Sequence, residues 1–248
     1  MRLFWHQVRT EQKVFWRNRE SSFFVFAFPI VLFLLLGSVY DGEIAGYRAA
    51  DLLLVGMLGY GAANTAFAGL AITLVIRRES GLLKRIRATP LPARTYLAAV
   101  LSSSLVVFVL QAVVLFAIGK LMFDADGPGT WVRLVVVLLL GTAVFAALGL
   151  AATALIRSDD GASAVVNLVL LPMAFLSGSF VPIQEYPDWL QHLSNVLPLK
   201  HFIRLLTDIY LDGDGLLEGW VPIVVLLAWA VAATVIVARR FGWTPRER

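Results

Sequence analysis

Six apolar runs, at about 22–40, 52–76, 97–119, 134–156, 162–181 and 221–238, constrain this chain more than any other feature. At 1.5 Å of rise per residue even the shortest reaches roughly 27 Å as a helix, near the thickness of a bilayer's hydrocarbon core. With 59% hydrophobic residues, 15% charged residues and a mean hydropathy of +0.78, the chain has too little polar surface to cover a water-soluble domain. The expected fold is therefore all-α and polytopic, with six transmembrane helices in a single transmembrane domain over 1–248.

Charge placement orients the helices. With both termini inside, Arg2, Arg9, Lys13, Arg17, Arg19, the six basic residues of the 77–94 segment, Arg157, Arg239, Arg240, Arg246 and Arg248 fall on the cytoplasmic side, which is 16 of the 21 Lys and Arg. Only Arg48, Lys120, Arg133, Lys200 and Arg204 fall outside, together with 11 of the 17 acids. The positive-inside rule favours this topology, in a cytoplasmic membrane, over its inverse. It also accounts for the pI near 9.6 without nucleic acid, because the cations are divided among short loops and form no single stripe.

Two segments outside the spans are patterned. On a helical wheel Phe4, Trp5, Val8, Phe15 and Trp16 share an arc beside Arg2, Arg9, Lys13 and Arg17, which predicts an amphipathic helix over 1–21 lying in the interface. Some 20 residues precede the first run and no small-residue cleavage site follows Gly37, so that run is expected to stay attached. Between the second and third runs lies Arg77-Arg78-Glu79-Ser80-Gly81-Leu82-Leu83-Lys84-Arg85-Ile86-Arg87, continuing to Arg94. As a short helix, Leu82, Leu83 and Ile86 share one face, with Lys84, Arg85 and Arg87 around the rest, and Pro90 and Pro92 stop it.

Several function classes lose support. No run contains Asp, Glu or His, the groups an ion-coupled carrier places at mid-depth. Ser177-Gly178-Ser179 has no His within a span to form a hydrolase site, and is read as a bend or close packing. Asp212-Gly213-Asp214-Gly215 lacks the further spaced ligands of a calcium loop and is read as a turn. The chain has no cysteine, hence no disulfide or thiolate metal site. It also has no Gly-x-x-x-x-Gly-Lys-Ser/Thr loop, so any ATP and Mg are expected on a partner, with no cofactor or metal in this chain.

The segment Arg78-Glu79-Ser80-Gly81-Leu82-Leu83-Lys84-Arg85-Ile86-Arg87-Ala88-Thr89-Pro90-Leu91 resembles the R-E-x-G-(T/L)-L-(K/E)-x-(L/I)-x-(A/T)-(T/S)-P-(L/V) signature of the membrane subunits of ATP-binding-cassette type-2 exporters. Leu176-Ser177-Gly178-Ser179-Phe180-Val181-Pro182, with Pro187-Asp188-Trp189-Leu190-Gln191 and Leu197-Pro198-Leu199, is similar to the family's run after the fifth span. Such permeases pair as dimers, here a homodimer by expectation, and dock two copies of a separate ATPase through a coupling helix. The resemblance places that helix in 77–95, with Arg78, Glu79, Gly81, Leu82, Leu83, Ile86 and Arg87 as coupling residues and Glu79 available to a partner's cation. Arg157-Ser158-Asp159-Asp160 offers a smaller contact or a turn capping the fifth helix at Ser158 or Asp159.

The outer segment 182–220 carries two amphipathic pieces, one after Pro187 with Trp189, Leu190, Leu193 and Val196, the other after Pro198 with Phe202, Ile203, Leu206, Ile209 and Tyr210. They are expected to dip into the outer leaflet, and the resemblance makes them a re-entrant lid, with Phe180, Pro182, Trp189, Pro198 and Phe202 as outer gate. Polar and aromatic residues of the second and fifth spans, Tyr60, Asn64, Thr65, Phe67, Asn167 and Phe175, are the candidates for a cargo pathway, with Pro172 as a kink. Small residues at Gly61/Thr65, Ala62/Ala66 and Ala147/Ala151 mark helix seams. The expected cargo is a hydrophobic or amphipathic small molecule such as a drug, antibiotic or lipid. A polysaccharide or lipid-linked glycan exporter is the alternative, and an intramembrane hydrolase or membrane scaffold the alternative of another class.

Overall fold

The computed structural model describes residues 2–40, 42–44, 46–180, 186–213 and 220–245. Helix α1 (Arg2–Arg17) leads into α2 (Arg19–Val39), where Asn18 accepts a hydrogen bond from the Ser21 amide at 3.2 Å and starts the new helix. A two-stranded antiparallel hairpin, β1 (Glu43–Ile44) with β2 (Tyr47–Arg48), pairs Glu43 with Arg48 and turns the chain into α3 (Ala49–Glu79). Then follow α4 (Leu82–Arg87), α5 (Ala93–Met122), α6 (Trp131–Leu155), α7 (Ala162–Leu176), α8 (Asp188–Ser194), α9 (Pro198–Tyr210) and α10 (Trp220–Arg240).

The all-α polytopic expectation holds. Among the described residues five helices, α2, α3, α5, α6 and α10, are long and apolar enough to cross a membrane. The fifth predicted run differs: α7 stops at Leu176, and its 15 residues rise only about 22 Å. Gly178, at φ +81°, takes the left-handed conformation that ends the helix, and the Ser179 amide returns to the Ala174 carbonyl at 3.2 Å. Among the described residues there are thus five spanning candidates and one shorter apolar helix.

Helix α3 is the hub, packed against α2, α5, α6, α7 and α9. Its sequence explains why: Gly56, Gly59, Gly61, Ala62, Ala63, Ala66 and Ala68 leave no bulk between it and its neighbours. Gly149 of α6 makes a close backbone approach, since a Cβ there would sit 2.7 Å from the Ala66 carbonyl oxygen and 2.8 Å from that of Phe67. At Gly61, a predicted seam residue, an added Cβ would overlap the Gln111 side-chain oxygen.

Both α2 and α3 contain a π-helical stretch, Phe23–Ala27 and Ala63–Gly69, and the two stretches touch. A π-turn leaves carbonyls displaced from the usual ladder, and in lipid each must find a donor. Asn64 Nδ2 donates to the Phe24 and Val25 carbonyls at 2.8 and 3.3 Å, and Gln111 Nε2 to those of Val25 and Phe26 at 3.0 and 2.7 Å.

The two Pro-started helices form where the sequence predicts, as α8 and α9. Helix α9 turns its apolar face inward: Leu199, Phe202, Leu205, Leu206 and Ile209 are buried, and Phe202 lies over Gly141, 5.8 Å from the Phe145 ring. The expected immersion of this face in the outer leaflet is corrected, because α6 offers a glycine-sized recess that accepts it. Helix α8 keeps Trp189 and Leu193 exposed.

Candidate functional site

At the end of the bundle where α3 meets α4, a C-terminal cap comes first. Gly81, at φ +73°, closes α3 after Ser80 and lets the chain restart at once as α4. Thr89 Oγ1 then donates to the Ile86 carbonyl at 2.6 Å, and Pro90 and Pro92 carry the chain into α5.

Two of the expected coupling residues are bound inside the chain. The Arg78 side chain is 1% exposed. Its Nη1 and Nη2 donate at 2.6 Å each to the carbonyls of Thr153 and Ile156, and its Nε donates to Glu79 Oε1, also at 2.6 Å. Those carbonyls lie at the C-terminal end of α6, where a helix leaves acceptors unmatched and favours positive charge. Arg78 thus joins the ends of α3 and α6, and the Glu79 carboxylate neutralises it. The expectation that Glu79 stands available to another chain is corrected: its carboxylate is held by the buried guanidinium beside it.

The expected exposed stripe is corrected as well. Leu83 is fully buried in the core, Ile86 is half-buried against it, and only Leu82 remains exposed. A six-residue helix lying on the bundle must turn one side inward, and the apolar side goes. The outward surface of α4 is Leu82 with Lys84, Arg85 and Arg87.

The neighbouring helix α1 is tied to the same end. Arg77 Nη2 donates to Glu11 Oε2 at 2.6 Å and Nη1 to the Tyr96 hydroxyl at 2.8 Å, with both charged side chains largely buried. Gln12 Nε2 adds bonds of 2.8 Å to the Ser103 hydroxyl and carbonyl. The predicted amphipathic helix forms, but Val8 and Glu11 face protein while Trp5 and Trp16 stay exposed. The turn after α6 starts α7 at Gly161, without the predicted side-chain cap from Ser158 or Asp159.

The cargo candidates divide into two groups. Tyr60, Asn64, Thr65 and Phe67 are all buried within this chain, and Asn64 is used up on the α2 carbonyls. Asn167 and Phe175 lie two turns apart on the exposed face of α7, which also shows Leu168 and Leu171. Rings link the groups: Tyr60 meets Phe180 edge-on at 5.1 Å, and Phe180 meets Phe175 at 4.9 Å. Of the outer-gate candidates, Phe180, Pro198 and Phe202 are buried, Trp189 is 66% exposed, and Pro182 lies outside the described residues.

Sequence reading missed Gln111, Glu11 and Tyr96. Gln111 had one available signal, a lone amide inside the apolar run 97–119. Among the described residues no cluster of three or more His, Asp or Glu is placed to hold a metal ion.

Residues 2–211 match the family model described as ABC-2 type transporter. The chain is 27% identical over 221 residues to YvfS of Bacillus subtilis (strain 168), which carries a transport-permease name, covering 88% of this chain and 89% of that one. It is 25% identical over 173 residues to YbhR of Escherichia coli (strain K12), which carries the name of a multidrug ABC transporter permease, covering 68% of this chain and 47% of that one. Nodulation protein J of Sinorhizobium fredii (strain NBRC 101917 / NGR234) is 37% identical over 106 residues, 43% of this chain and 40% of its own length. The alignment thus spans most of YvfS but under half of the other two.

Proposed function

The chain belongs to the ABC-2 type transporter family, a membrane subunit whose family implies an ATP-binding partner, and on that premise we propose that it is the permease of an ATP-driven exporter of hydrophobic or amphipathic small molecules. Two copies pair in the cytoplasmic membrane with both termini inside, and each docks one separate ATPase subunit, which carries the ATP and Mg. The observation that carries the reading is the α4 end. A short helix with an exposed Leu82 among Lys84, Arg85 and Arg87 sits on a rigid mount, because Leu83 is buried beneath it and Arg78 joins α3 to α6. A push on α4 is therefore delivered to two spanning helices at once. The exposed face of α7, with Asn167 and Phe175, is the proposed meeting surface of the two copies and one wall of the cargo path.

An apolar or amphipathic cargo is supported over a glycan by the rings. Tyr60, Phe67 and Phe180 are buried against protein, so they offer no open platform on which sugars stack. The test uses two exposed positions. Leu82→Asp combined with Arg85→Glu is expected to abolish co-purification of the ATPase subunit while leaving the permease's own melting temperature unchanged. Full ATPase capture by that variant would refute docking through α4.

A further inference from the structure

At the end of the bundle away from α4, a cleft of about 380 Å³ opens between the ends of α2 and α3 and the side of α9. Its size falls in the range of small-molecule sites. Tyr40, Leu52, Leu53 and Ile203 supply apolar wall. Lys200 and Arg204, one turn apart on α9, supply positive charge on the same lining.

Neither cation forms an ion pair among the described residues. Among the described residues Arg204 has no hydrogen-bond or ion-pair partner. Among the described residues Lys200 Nζ is held by neutral acceptors, the Ser194 hydroxyl at 2.7 Å, the Asn195 side-chain oxygen at 2.8 Å and the Gln191 carbonyl at 3.4 Å. Partial burial, and then the charge of Arg204, pull the Lys200 pKa below its ordinary value, as expected for like charges sharing a poorly solvated wall. Asp208 also lines the cleft, with an interaction of its own, and forms no ion pair with either cation. Ser177 and Ser179 complete the lining, and among the described residues their buried hydroxyls have no hydrogen-bond partner. A hydroxyl rotor can turn toward a bound oxygen.

We propose that this cleft binds an anionic amphiphile, its apolar part against Leu52, Leu53 and Ile203 and its phosphate- or carboxylate-type head at Arg204 and Lys200. Apolar walls alone take any greasy molecule, whereas two cations without an ion pair among the described residues, at one side of those walls, select a negative head. Two sources offer this chemistry, an anionic phospholipid of the adjoining leaflet and a soluble single-chain amphiphile, and the site stands whatever the transporter exports.

The test is equilibrium binding of labelled dodecyl phosphate to the full chain in phosphatidylcholine nanodiscs, with dodecyl maltoside as the neutral match. Hydrogen bonds to charged groups predict a preference of about tenfold or more for the phosphate. Lys200→Gln with Arg204→Gln should erase that preference, while Arg133→Gln, which removes a cation bonded to the Gly213 carbonyl instead, should keep it. Replacing part of the phosphatidylcholine by phosphatidylglycerol separates the sources: displacement of dodecyl phosphate marks the phospholipid as a competing occupant, and undiminished binding marks the soluble amphiphile. Either outcome supports the site. Equal binding of phosphate and maltoside, or a preference surviving the double substitution in a variant that melts like wild type, would overturn it.

Discussion

The two ends of this bundle treat charge differently. At the α4 end Arg77, Arg78, Glu11 and Glu79 are drawn into the protein, with ion-pair distances of 2.6 Å for Arg77–Glu11 and Arg78–Glu79. At the other end Arg48 stands 3.8 Å from Asp126 and Lys120 pairs with Asp124 at 3.0 Å, all four side chains well exposed. Buried pairs with every donor directed are rigid and costly to break from one side; exposed pairs in high dielectric contribute little. The α4 end is thus built to hold helices in fixed relation, whereas at the opposite end Arg204 has no ion pair among the described residues.

The comparison breaks most visibly at Arg78. Arg78→Met removes the fork that satisfies the Thr153 and Ile156 carbonyls and breaks the buried ion pair with Glu79, so a loss of about 3–5 kcal/mol is expected. Arg78→Lys should recover only part of it, because an ammonium cannot reproduce the planar fork. Thermal unfolding of the purified permease without its ATPase measures this, and a wild-type melting temperature in Arg78→Met would show that α3 and α6 are joined by packing alone.

Gln111 sharpens the same contrast within the lipid-depth core. Gln111→Leu takes the side-chain donor from the Phe26 carbonyl and leaves Val25's to Asn64 alone, with an expected loss of about 1–2 kcal/mol that Asn64→Leu should match at the Phe24 carbonyl and the shared Val25 one. Hydrogen exchange of α2 is the more telling readout, since faster exchange confined to residues 23–27 would locate the effect at the π-turn. Uniform exchange would remove the amide clamp from the account.

These two positions mark where sequence stopped being legible. The apolar runs announced the spanning helices because lipid imposes one requirement on every residue of a run, and Pro187 and Pro198 announced α8 and α9. Arg78 and Glu79 were readable as a motif but not as a buried joint, since the partners of Arg78 are backbone carbonyls at 153 and 156, and a carbonyl has no letter. Leu83 and Ile86 read as a surface stripe because a six-residue helix shows its periodicity without showing what lies under it. The length of α7 was set by Gly178's left-handed turn, which an apolar count over 162–181 passes through unnoticed.

Thiol labelling tests the far end through a background without cysteine. Cysteine at Trp189, which is 66% exposed, should react with an impermeant reagent, whereas cysteine at Phe202 or Phe180 should be protected. Rapid labelling of all three would mean that α9 leaves its recess over Gly141, and nucleotide-dependent labelling at Phe180 would support the outer gate that the family resemblance implies.

The smallest effect belongs to the exposed pair at that end. Lys120→Gln should lower the melting temperature at neutral pH only slightly, because both side chains are already solvated. Even that small difference should vanish in acid. The hydrogen bond from Lys120, then its charge, holds the Asp124 carboxyl below its ordinary value of 3.8. A depressed carboxylate contributes stability above its unfolded pKa and loses that contribution as pH falls through its folded one. Melting curves of wild type and Lys120→Gln should therefore separate slightly above pH 4 at most, and converge as the pH drops below the ordinary carboxylate range. A large gap at pH 7 would show that this end is tied as firmly as the α4 end, and the contrast between the two would fail.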